Sequence, residues 1–155
     1  IKGLTDQLFD YSLACNEEAL ELDAPCNMES AIGDYLSEMA FILRENSFSL
    51  DIEKLIWKDF KITVNSNFLG RIFNNITNNI CKYADNKAPV CISCIYRNKD
   101  AGIEITNHIS DKSSLFNTTG MGIRNITLMM KQMNGWAIVS HNNTEFRITL
   151  WFSRA

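Results

Sequence analysis

The chain of 155 residues is 46% hydrophobic with a formal net charge of -3, which supplies one sizeable core and no broad basic field for a nucleic-acid backbone. Charged or amide side chains break every apolar run well short of the roughly 20 residues that span a bilayer, so no direct membrane insertion by this segment is expected. Its five cysteines, Cys15, Cys26, Cys81, Cys91 and Cys94, are odd in number and sit largely in apolar patterns, as reduced core thiols of a cytoplasmic protein do.

In chain order, Leu4, Leu8, Phe9, Tyr11 and Leu13 recur at roughly helical spacing, and the alternating Ala19–Ala24 reads as a short strand. After Pro25, Ile32, Tyr35, Leu36, Met39, Ala40 and Leu43 mark one face of a helix from about Met28 to Arg44, with Asn27 as its N-cap. Phe48, Leu50 and Ile52 alternate with polar residues, as do Phe60, Ile62 and Val64, which predicts two antiparallel strands, and a helix follows from about Ser66 to Ala84. Pro89–Arg97 and Gly102–Asn107 read as a hairpin turning through Asn98-Lys99-Asp100. His108–Thr119 lacks periodicity and reads as a mobile loop. A helix then runs from near Gly122 to the stop pair Asn134-Gly135, and strands at Trp136–His141 and Thr144–Phe152 flank an Asn142-Asn143 turn. Such an order buries best as a two-layer α/β sandwich, a mixed, mostly antiparallel sheet of about five strands with three helices on one face and a short helix end before them.

Arg71–Ala84 places four asparagines inside a strongly periodic apolar helix, although each costs helix stability relative to alanine. At about 100° per residue, Leu69, Ile72, Phe73, Ile76 and Ile80 share one side, and Asn75, Asn79 and Lys82 share the next, with Tyr83 between them. Two amides and an ammonium suit a nucleotide and its metal: an amide oxygen can complete a magnesium octahedron, a lysine can meet a phosphate, and a tyrosine can cover a base. Solvated or locally capping asparagines are the plain alternative. Further on, Gly120-Met121-Gly122 precedes a helix, so backbone N–H groups can approach an anion at its positive end, although such a turn is often an ordinary one.

With those residues in view, the sequence resembles the histidine kinase branch of the ATPase superfamily that includes gyrase, the large heat-shock chaperone and the mismatch-repair ATPase. Arg71–Tyr83 is similar to that branch's asparagine box, and Gly120-Met121-Gly122-Ile123 to the glycine turn that closes its ATP lid. The resemblance implies ATP and Mg2+ as ligands, with Asn79 on the metal, Asn75 and Lys82 at the phosphates as the catalytic pair, and Tyr83 near adenine. It also implies Gly120, Gly122 and Ile123 around the triphosphate and Thr144 at the position of a usual threonine in the closing strands. Residues 1–16 then resemble the end of a dimerisation-hairpin helix and 17–155 the ATP-binding domain. Beginning at Ile1, the chain reads as a segment of a longer, membrane-anchored cytoplasmic sensor. Its expected partners are the dimerisation and phosphoacceptor domain of the same kinase and a response regulator, with no nucleic acid.

The first glycine box departs from the family pattern. Thr106-Asn107-His108-Ile109-Ser110 stands where relatives carry an aspartate and two glycines, so Asn107 aligns with the residue that reads adenine, without its charge. That departure leaves open a regulatory module that has lost its nucleotide and acts through protein contacts. A gyrase-type ATPase, by contrast, needs a carboxylate base on the asparagine helix, and none occurs between Arg71 and Ala84.

Overall fold

The computed structural model describes residues 2–16, 20–110 and 121–155. Their order is α1 (Lys2–Ala14), β1 (Cys26–Asn27), α2 (Met28–Glu45), β2 (Leu50–Asp51), β3 (Lys61–Ile62), α3 (Ser66–Tyr83), β4 (Val90–Tyr96), β5 (Asp100–His108), α4 (Met121–Gln132), β6 (Trp136–His141) and β7 (Glu145–Ser153). Five strands form one mixed sheet in the order β2-β4-β5-β7-β6, and β1 and β3 form a separate two-stranded ladder. The predicted sandwich is the observed fold, with four helices among the described residues.

Alternation builds the sheet. Along β5, Ala101, Ile103 and Ile105 are buried, and along β7 so are Ile148, Leu150 and Phe152. The register pairs Ile103 with Leu150 and Ile105 with Ile148, so these side chains share the face toward the helices. The helical layer answers with Ile32, Leu43, Leu69, Ile72, Ile126 and Met129, all fully buried.

Local chemistry sets the helix ends. Asn65 caps α3, its side chain accepting from the Phe68 N–H at 3.0 Å. At the end of α4, Asn134 turns left-handed with φ 62°, and the Gly135 N–H donates to the Met130 carbonyl at 2.9 Å. A Cβ on Gly135 would stand 2.3 Å from the Trp151 carbonyl oxygen, so only glycine fits there.

Two expectations are corrected. Phe48–Ile52 and Phe60–Val64 do not pair with each other: β2 runs parallel to β4, with Leu50 opposite Val90, whereas β3 pairs with β1, Cys26 opposite Ile62. Both segments alternate well, but alternation identifies a strand and not its neighbour. The strand expected at Ala19–Ala24 lies partly outside the described residues, and residues 20–25 form no regular strand. The Asp23 N–H still donates to the Val64 carbonyl at 2.7 Å, while Pro25 brings no N–H to continue the ladder. Asn27 does stand at the N-cap of α2, but its side chain makes no capping hydrogen bond.

Candidate functional site

The α3 helix carries two surfaces. Leu69, Ile72, Phe73, Ile76 and Ile80 are buried in the core, and beside them Arg71, Asn75, Asn79 and Lys82 run as a second stripe. α2 packs against α3 on one flank and α4 on the other. Asn74 and Asn78 are exposed, as solvated helix positions are, whereas Asn75 is only 8% exposed. Its amide nitrogen has no hydrogen-bond partner. A buried amide N–H without an acceptor is costly, on the order of 1–3 kcal/mol, which argues against a merely solvated asparagine.

Asn79 meets the start of α4. A Cβ placed on Gly122 would lie 3.7 Å from both the oxygen and the nitrogen of the Asn79 amide. Gly122 and Asn79, 43 positions apart in sequence, therefore adjoin at the positive end of a 12-residue helix. Ile123 is half-buried on the first turn. Gly120 lies outside the described residues, as does most of the predicted loop.

The far end of α3 is stitched to the sheet. The Ser110 N–H donates to the Tyr83 carbonyl at 2.9 Å, and the Asp85 N–H to the His108 carbonyl at 2.8 Å. Ala84 and Ile109 add a bridge. These bonds bring exposed Lys82 and half-buried Tyr83 to the end of β5, where Asn107 is 5% exposed and donates from its side chain to the His108 carbonyl at 3.1 Å. The Asn107 side-chain oxygen remains an acceptor. Asn107 pairs with Phe146, and the Ile109 N–H donates to the Thr144 carbonyl at 2.9 Å, so Thr144 sits beside the same sheet end. Its hydroxyl and N–H both donate to the Asn142 side-chain oxygen, at 3.0 and 2.8 Å.

The predicted residues thus fall into two adjoining groups, Asn75, Asn79 and Gly122 on one side and Lys82, Tyr83, Asn107 and Thr144 on the other. They line the junction of the α3 C-terminal half, the α4 N-terminus and the end of β5. Chemically, the junction offers neutral amides, an ammonium and a helix N-terminus, a set able to hold phosphate oxygens and a hard cation. No carboxylate stands on α3.

Three residues with a place here were not singled out by sequence reasoning. On α1, Asp10 is buried and pairs with Arg71 at 2.5 Å, and Gln7 lies 3.8 Å from the Cβ position of Gly122. Asn125, fully buried on α4, donates to the Gln7 carbonyl at 2.9 Å. Polar residues outside the recognised motifs give no sequence signal of such contacts.

No family model matches the chain. It is 30% identical over 152 residues to the sensor histidine kinase YrkQ of Bacillus subtilis (strain 168), an alignment covering 98% of this chain and 35% of that protein. The chain therefore spans about a third of the length of this curated relative. In structure it is similar to the Acinetobacter baumannii histidine kinase AdeS, with TM-score 0.75 at 14% identity over 99% of this chain and 78% of that one. It is also similar to the catalytic domain of the histidine kinase ThkA, with TM-score 0.65 at 12% identity over 87% of this chain and 98% of that one.

Proposed function

Because the chain is a homologue of sensor histidine kinases with the fold of their catalytic domains, we propose that it binds ATP with Mg2+ and supplies the γ-phosphoryl group to a histidine outside this chain, for relay to a response regulator. The observation that carries this reading is the meeting of Asn79 with Gly122, which sets an amide ligand against a glycine turn at a helix N-terminus. The partnerless Asn75 amide N–H beside it is a donor in need of an oxygen.

Phosphoryl transfer asks a protein mainly for positioning and charge neutralisation. In this reading the Asn79 side-chain oxygen is a metal ligand, Lys82 meets a phosphate oxygen, and Asn75 donates to one. The Gly120–Gly122 backbone holds the others at the start of α4, and Ile123 packs behind it. Tyr83 lies against the base, the Asn107 oxygen accepts from the adenine amino group, and Thr144 borders the same end. Mg2+, when bound, spreads and neutralises the charge of the phosphate oxygens. Asn75 orients but takes no proton at neutral pH, so the chain contributes no general base from this helix. Residues 1–16 would continue a dimerisation hairpin, in a sensor whose catalytic part is cytoplasmic. Among the described residues no helix is long and apolar enough to cross a membrane.

Calorimetric titration with a non-hydrolysable ATP analogue, with and without Mg2+, tests the reading. Saturable, Mg2+-dependent heat is expected. Absence of binding at millimolar nucleotide would favour the alternative of a regulatory module, to which the neutral Asn107 and the glycine-free Thr106–Ser110 segment already lean.

A further inference from the structure

The seam between α2 and α3 opens to solvent as a trough. Two cavities of about 480 and 400 Å3 share Tyr35, Glu38 and Ser66, and so run into one another. On α2 the trough extends from Ala31 to Ile42, about 16 Å at 1.5 Å per residue, or three helical turns. Small residues keep it open, Ala31 on α2 with Ser66 and Gly70 on α3. A Cβ on Gly70 would stand 3.3 Å from the Tyr35 ring, so the glycine lets that ring close on α3. The floor is apolar and tightly packed: Met39, Leu69 and Phe73 are at most 2% exposed. Its walls are tied together, because the Tyr35 hydroxyl donates to the Ser66 carbonyl at 2.7 Å.

The α2 rim of the trough is acidic. Asp34 and Glu38, one turn apart, are exposed, and neither forms an ion pair among the described residues. Asp23 stands at one end, where its carboxylate accepts from the Ser66 N–H at 3.0 Å. Burial pushes the Tyr35 phenol up, and the carboxylates of Asp23, Asp34 and Glu38 push it further, so all three bear on one point of the trough. Arg71 is the only cation among the lining residues, and Asp10 matches its charge. Along the same line of α2, Phe41 follows Asp34 and Glu38 at i+7 and i+3 and is 64% exposed. A preformed trough that is apolar below, negative along one side and flanked by an exposed ring complements a helix of the opposite pattern.

We propose that this trough docks a cationic amphipathic helix of a partner protein, with lysine or arginine side chains along the Asp34–Glu38 rim and an apolar side chain against Phe41. The trough is independent of the nucleotide reading, because it lies on the α2 side of α3, whereas Asn79 meets Gly122 on the α4 side. Ion pairs at an exposed rim add little affinity each. The carboxylates therefore act mainly on encounter rate and on the choice of partner, while apolar contact at Phe41 and in the trough holds the bound helix. Binding weakens as salt rises.

Fluorescence anisotropy tests this with the 155-residue chain and a labelled, stapled leucine–lysine helix of roughly 14 residues, about four turns, beside its leucine–glutamate counterpart. Saturable binding of the lysine helix alone is expected. Asp34→Lys with Glu38→Lys should weaken it about tenfold, and the shape-preserving Asp34→Asn with Glu38→Gln should reproduce most of the loss. Asn74→Trp fills the trough from the exposed side of α3 without a change of charge and should weaken binding to a similar degree. Glu53→Lys with Asp59→Lys, two exposed acids outside the trough, should leave Kd within about twofold. If that control pair weakens binding as much as the rim pair does, the peptide follows the net charge of the chain and the trough is overturned. It is overturned equally if the Asn74→Trp chain binds like the parent, if the glutamate helix binds as well as the lysine helix, or if millimolar peptide reaches no saturation. Sedimentation of the chain alone covers the remaining occupant: self-association that Asn74→Trp abolishes would put a second copy in the trough and overturn the cationic partner.

Discussion

The helices α1 and α2 are both carried by the same body, and they are held by different balances of apolar and polar contact. Met28, Ile32, Leu36, Met39 and Leu43 of α2 are buried, at most 5% exposed, and Tyr35 adds a stack on Phe73 at 6.0 Å and a 2.7 Å bond from its hydroxyl to the Ser66 carbonyl. α1 buries Asp10 and Ala14, packs half-buried Leu13 on the core, and leaves Leu8 and Phe9 in water. Burying a large aliphatic side chain is worth about 1.5–3 kcal/mol, whereas a single hydrogen bond nets about 1 kcal/mol. The difference teaches that α2 is held mainly by apolar burial, while α1 rests on a smaller apolar contact supplemented by the Asp10–Arg71 pair and hydrogen bonds from α4.

The comparison is tested hardest at Leu43. Leu43→Ala removes a fully buried side chain, so a loss of about 2–5 kcal/mol is expected, seen as a lower midpoint in thermal or urea unfolding with all probes moving together. An effect below about 1 kcal/mol would make α2 as loosely held as α1. Next in size comes Asn107→Asp. The carboxylate cannot donate to the His108 carbonyl as the amide does and places a charge at a 5% exposed site, so the unliganded protein should lose on the order of 1–3 kcal/mol. Adenine nucleotide should nevertheless bind more tightly in calorimetry, because the charged acceptor meets the amino group. Unchanged affinity would remove Asn107 from the base-reading role.

The body of the fold was legible because it rests on periodicity. The apolar face of α3, the β4–β5 hairpin and the Asn134-Gly135 stop each follow from local spacing or turn chemistry. Strand partners were not, because whether β2 joins β3 or β4 depends on how the chain crosses over, which no local pattern encodes. Within the site, residue type and spacing on α3 indicated Asn79, Lys82 and Tyr83 as candidates, but the burial of Asn75 was not readable. A stripe predicted from helical angles is assumed open, and its burial depends on tertiary neighbours that no local pattern encodes; Asp10, 61 positions before Arg71, pairs with the stripe's first residue. For the same reason Asp10 carries no signal in the sequence, and only its contact with Arg71 gives it a role.

Smaller effects sharpen the contrast from the α1 side. Leu8→Ser and Phe9→Ser alter side chains more than half exposed, so each should change the stability of this chain by no more than about 0.5 kcal/mol. Phe9→Ser also removes the surface beneath the Arg71 guanidinium, an exposed contact whose loss stays within that bound, at the low end of about 0.5 kcal/mol for such pairs, and any loss should appear as faster α1 exchange. A loss above about 2 kcal/mol in global unfolding would mean that the apolar side of α1 is integral to the fold.

The smallest stability change is expected at Asn79, where the functional consequence should be largest. Asn79 lies within α3 and is half-buried, and alanine is the better helix former by several tenths of a kcal/mol. Asn79→Ala should therefore leave the unliganded midpoint unchanged or slightly raised, while Mg2+-dependent nucleotide binding disappears from the titration. A protein destabilised by several degrees would instead make Asn79 a packing residue against the start of α4 rather than a metal ligand. The sign of that small change separates the two cases: a side chain kept for a ligand costs its helix something when the ligand is absent, whereas a side chain kept for packing cannot be removed without loss.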